Sequence, residues 1–71
     1  MGQNFPQLRQ QLESQVHART GRRVRNLSIE LFSEGVVLRG HASTYHVKQL
    51  AQQGILDVLP DVQLENAIVV L

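Results

Sequence analysis

The chain has 71 residues, a formal net charge of +1 and no cysteine. That length allows one domain, and the missing thiols exclude a disulfide framework and any Cys-based zinc site. A charge so near zero singles out no partner by itself. The hydrophobic share is 42 %, enough for one core, and with no Trp, one Tyr and two Phe that core must be aliphatic.

Residues 4–20 are predicted as a helix, with Asn4 as its cap and Pro6 in the first turn, where a missing N–H costs nothing. Phe5, Leu8, Leu12 and Val16 recur at three- and four-residue intervals and form one apolar stripe. Thr20-Gly21 is the expected stop, because glycine takes the left-handed conformation after a last turn. Residues 24–32 alternate as a half-buried strand, with Leu27, Ile29 and Leu31 on one face and Asn26, Ser28, Glu30 and Phe32 on the other. Ser33-Glu34-Gly35 reads as a hairpin turn with Gly35 supplying a positive φ. The next strand, 36–41, puts Val36, Leu38 and Gly40 on one face and Val37, Arg39 and His41 on the other.

A second helix is predicted over 43–58, capped by Ser43, with Val47, Leu50, Ala51, Gly54, Ile55 and Val58 as its stripe. Gly54 on that stripe is expected to let the helix approach the sheet closely. Pro60-Asp61 ends the helix, and 62–70 returns to a strand with Asn66, Ile68 and Val70 on one face. The order α-β-β-α-β implies an α+β domain spanning residues 1–71. Its two helices should pack on one face of a three-stranded mixed sheet. The third strand should run parallel to the second. Spacing leaves open whether it lies beside the second strand or the first.

The stretch EGVVLRGHASTYHVKQLAQQG, residues 34–54, followed by Val62, Asn66, Ile68 and Val70, resembles a BON domain, the module named for bacterial osmotically inducible and nodulation proteins. Gly35, Val36, Leu38, Gly40, Ser43, Tyr45, Lys48, Gln49 and Ala51 carry the rest of the likeness, which covers about residues 22–70. The chain departs from the pattern at Gly35 to Gly40 and at Val62 to Asn66, each one residue short, and at Asp61, where the family has glycine. The resemblance implies two helices on a three-stranded mixed sheet. It further implies a non-catalytic module, often of the bacterial envelope, that attaches to phospholipid surfaces or protein partners.

Two surfaces are candidate sites. The segment RTGRRVR holds Arg19, Arg22, Arg23 and Arg25, which with Lys48 would contact an anionic surface, phospholipid headgroups first and, as a weaker third reading, the phosphate backbone of a nucleic acid. The bland alternative is a set of solvated loop residues, Arg19 serving a helix C-terminus. The sheet face without helices should show Phe32, Val37, Arg39, His41, Ala67, Val69 and Leu71. Phe32, Val37, Arg39 and Val69 would then form a partner or self-association interface. The alternative is that Phe32 and Val69 are covered at strand ends.

Other classes fare worse. His17, His41 and His46 match no metal-ligand spacing. There is no nucleophile–base set, no cofactor motif and no phosphate-binding glycine loop, so no catalytic residue is assigned. The G-x-x-G loop of a KH-type module is absent, as is an aromatic platform, which argues against nucleic acid. No apolar run approaches the roughly 20 residues of a spanning helix. The first residues, MGQNFPQLRQQ, lack a signal-peptide pattern. A complete chain would thus be expected in the cytoplasm, and an excerpt, on the resemblance, in the envelope.

Overall fold

The computed structural model describes residues 5–71, with side chains from residue 6. It contains α1 (Phe5–Thr20), β1 (Arg25–Leu31), β2 (Val36–Ala42), α2 (Tyr45–Val58) and β3 (Leu64–Val70). The expected cap Asn4 and the stripe position of the Phe5 side chain lie outside the described residues. The α-β-β-α-β order and the three-stranded mixed sheet are as the sequence implies. The sheet order is β1-β2-β3, with β1 antiparallel and β3 parallel to β2. This resolves the open alternative: β3 lies beside the second strand.

Both helices pack on one sheet face. Leu12 and Val16 of α1 and Val47, Ala51 and Ile55 of α2 meet Val24, Ile29, Val36, Leu38, Ala42 and Ile68 in an aliphatic core. Burying a side chain such as Leu38 or Ile55 contributes about 1.5–3 kcal/mol. Val70 is 39 % exposed, although its alternation assigns it to the core face. It is the last residue of an edge strand and pairs with Ala42, which is too small to cover it.

Four local expectations are corrected. Strict alternation through 24–32 fails at a β-bulge between Arg25 and Ser28. Asn26 takes φ +55 there, and the extra residue reverses the parity of the strand, which turns Val24 into the core. Helix α2 is capped by Thr44 instead of Ser43. The Thr44 side chain accepts the Val47 N–H at 3.1 Å, and the helix starts at Tyr45. Gly35 has no positive φ. The turn closes through reciprocal Phe32–Gly35 hydrogen bonds, and the glycine is needed because a Cβ there would land on the Gln63 carbonyl oxygen. Finally, Gly54 faces α1 and not the sheet. A Cβ at this position would lie 2.9 Å from the Val16 Cα.

Candidate functional site

The basic segment follows directly from how α1 ends. The Arg22 N–H reaches back to the His17 carbonyl at 3.0 Å, with Gly21 at φ +62 and Arg22 at φ +60, a Schellman-type termination. A left-handed arginine is strained by roughly 1 kcal/mol or more. The buried Thr20 hydroxyl donates to the Val16 carbonyl at 2.8 Å and anchors the last turn. The Arg23 Nε donates to the Thr20 carbonyl at 2.6 Å, which ties its stem to the helix end.

The five basic residues expected to act together do not form one patch. Arg19 grips Asp57 of α2 in a two-pronged ion pair, Nε to Oδ2 at 2.7 Å and Nη2 to Oδ1 at 2.9 Å, and Gln15 adds a third bond to the same carboxylate. The Arg19 and Gln15 hydrogen bonds hold the Asp57 carboxyl below the usual carboxylate range. The same pair raises Arg19 further above its ordinary value. Lys48 lies on α2 and lines a separate depression with Tyr45, His46, Gln52 and Asn66; none of the arginines lines it. Arg22, Arg23 and Arg25 remain exposed. Among the described residues none of these three has a carboxylate partner.

The sheet face turned away from the helices is ordered in rows by the strand register. Glu30, Val37 and Glu65 form one row, Ser28, Arg39 and Ala67 the next, and Arg25, His41 and Val69 the third. Paired residues share a face, so these side chains stand side by side. Arg39 bonds Glu30 diagonally at 3.4 Å, and Asn26 Nδ2 lies 3.4 Å from His41 Nδ1. Phe32 is 55 % exposed beyond the first row, and Val69 and Leu71 are 49 % and 73 % exposed at the opposite end. The expected Phe32, Val37, Arg39 and Val69 thus share one face, with Val37 half-buried between two glutamates. Glu65 and Arg25 were not anticipated there. Glu65 follows from the same alternation that places Ala67 and Val69, whereas Arg25 reaches this face only through the bulge in β1. An open depression of about 440 Å³ beside the first row is lined by Phe32, Val37, Gln63 and Glu65.

Asn66, which the sequence places on the core face of β3 and among the residues of the resemblance, takes a specific structural part. Its Nδ2 donates to the Lys48 carbonyl at 3.0 Å, and its Oδ1 accepts the Ile68 N–H at 3.2 Å. The side chain therefore binds α2 to β3 and occupies a donor on the outer edge of the sheet. The three histidines do not converge, and among the described residues no three His, Cys, Asp or Glu form a metal-holding group. No described helix is long and apolar enough to cross a membrane.

Comparison with protein-family models, with characterised proteins and with solved structures finds no match for this chain. The likeness to BON domains therefore stands on the residues quoted above.

Proposed function

We propose that this chain is a non-catalytic, BON-like binding module that docks on an anionic surface, in the first place a phospholipid headgroup layer, through Arg22, Arg23 and Arg25. One observation carries the reading. These arginines sit within four consecutive positions, exposed and without a carboxylate partner among the described residues, whereas Arg19 and Arg39 are each engaged by an acid. Each basic residue near a charged membrane contributes about 1 kcal/mol, so three acting together give on the order of a hundredfold preference for an anionic surface.

Co-sedimentation with neutral and anionic vesicles at two salt concentrations tests this. Binding should be confined to anionic vesicles, fall as salt shortens the Debye length, and be lost in Arg22→Glu/Arg23→Glu. Equal binding to neutral vesicles, or a double variant that binds as well as the parent, would remove the mechanism.

A second reading is protein docking through the open sheet face. It is favoured by Phe32, Val69 and Leu71, which are large, apolar and exposed on that one face. They stand at the two ends of the face, with Val37 between them, and exposed large apolar groups gathered on one face point to an interaction site.

A further inference from the structure

The open sheet face carries a charge pattern that is complementary to itself. Glu30 and Glu65 flank Val37 in one row, and two rows along the strands Arg25 flanks His41 and Val69. The acidic end holds the depression beside Phe32, and the basic end holds the projecting Val69 and Leu71. The geometry points to a second copy of this chain as the occupant of the face, stacked on it with its strands antiparallel. This rests on the open-face reading above and not on the basic loop.

A two-fold axis lying between the sheets and perpendicular to the strands passes through the Ser28–Arg39–Ala67 row. It sets β1 over β1 of the partner, with each Glu30 opposite an Arg25. It also brings Val69 and Leu71 of each copy onto the depression beside Phe32, Val37, Gln63 and Glu65 of the other. Such a contact is isologous: one pairing made twice. Facing sheets sit about 10 Å apart, close enough for these side chains to interdigitate. The other two-fold axis, parallel to the strands, would set β1 over β3 and Glu30 against Glu65. Like charges facing each other disfavour it. Near the chosen axis Arg39 meets its symmetry mate, but each is already engaged by its own Glu30 at 3.4 Å.

The sheet edges are partly blunted as an alternative route. Asn66 occupies the outward Ile68 N–H of β3, and the bulge at Asn26 interrupts β1. Both are devices that blunt edge pairing. Three strands of seven residues span roughly 14 by 23 Å, below the ~800 Å² per partner of a standard interface. The dimer should accordingly be weak, with a dissociation constant on the order of micromolar to millimolar.

The test is sedimentation equilibrium from about 10 μM to 1 mM, on the wild type, Glu30→Lys, Arg25→Glu and their equimolar mixture, with circular dichroism to confirm folding. Wild-type mass should rise with concentration toward the dimer. Each single reversal should weaken association about tenfold or more, since the pair occurs twice. The mixture should restore it. In the mixed dimer the lysine introduced in one copy faces the glutamate introduced in the other, and the second contact keeps its native Arg25 and Glu30. Should either reversal fail to fold, Ala67→Arg, on the axis row, should also give a monomer. A monomeric wild type at every concentration would overturn the proposal and leave the vesicle result to judge the basic loop. Association that Glu30→Lys leaves unchanged or tightens would overturn the antiparallel face.

Discussion

Gly54→Ala poses a direct conflict between helix propensity and packing. Propensity alone says the change should stabilise α2 by about 1 kcal/mol. The structure says otherwise. The added Cβ would lie 2.9 Å from the Val16 Cα and 3.1 Å from both the Val16 nitrogen and the Gln15 carbonyl oxygen. Carbon pairs are at ease at about 3.5–4.0 Å, so the overlap is roughly 0.6–1 Å. All three neighbours are backbone, and no side-chain rotation relieves them. The helices must separate, which loosens Leu12, Val16, Ala51 and Ile55 together. Overpacking of this kind costs about 1–3 kcal/mol. With three backbone neighbours that cannot turn aside, the upper part of that range applies, about 2–3 kcal/mol. Set against the propensity gain, the net loss is about 1–2 kcal/mol, or a fall in Tm of roughly 5–15 °C for a chain of this size. Urea denaturation followed by circular dichroism gives the value, with Gln53→Ala on the exposed side of α2 as a control within about 0.5 kcal/mol of wild type. Adding Val16→Ala should bring no relief, because the clash is with the Val16 main chain. A Gly54→Ala protein as stable as the parent, or more so, would refute the close-approach argument.

Gly35→Ala should be worse, about 3 kcal/mol by the same denaturation assay, since its Cβ would meet the Gln63 carbonyl where β2 and β3 begin to pair. Asn66→Ala removes bonds to the Lys48 carbonyl and the Ile68 N–H and should cost roughly 1–2 kcal/mol. Light scattering should also detect more aggregation in that variant, because an edge donor is freed. Asp57 has a lowered pKa in the folded chain, so its contribution to stability is present above the ordinary carboxylate value of about 3.9 and is lost as pH falls through the folded value. Asp57→Asn should therefore have a lower urea midpoint than wild type at pH 7, and the gap should close in acid; a gap independent of pH would refute the role of the Arg19 pair.

What the sequence made legible is the part set by local periodicity. Leu12 and Val16 at helical spacing, Val36 and Leu38 at strand spacing, and Pro60 as a breaker are each decided within a few residues of chain. The misses share one physical cause. Val24 reaches the core only because Asn26 adopts a left-handed conformation and shifts the parity of β1, and no alternating pattern encodes that. Gly54 stands on the apolar stripe whichever element it approaches, and its contact with Val16 is a fact of helix crossing. Arg19 looks like one of four clustered arginines until α2 delivers Asp57, which lies 38 positions away in the chain. Neighbouring Ser43 and Thr44 are both sound caps by type, and backbone geometry chooses between them.

Arg25 links the two surfaces. It belongs to the exposed basic loop, and through its pairing with His41 it also stands on the open sheet face. An arginine set against Glu30 of a second copy is not free to meet a headgroup phosphate. The two forms of binding therefore share a residue and oppose each other. By linkage, an anionic surface that draws the monomer must weaken the dimer by the same factor by which dimerisation weakens surface binding. Arg22 and Arg23 are outside the sheet and escape this competition. Arg25→Glu should thus weaken both forms of binding. Glu30→Lys, which touches only the sheet face, should weaken self-association alone, and Arg22→Glu/Arg23→Glu should weaken vesicle binding alone. If these last two variants each lost both properties in parallel, the two surfaces would be one, and the separation drawn here between loop and sheet face would fail.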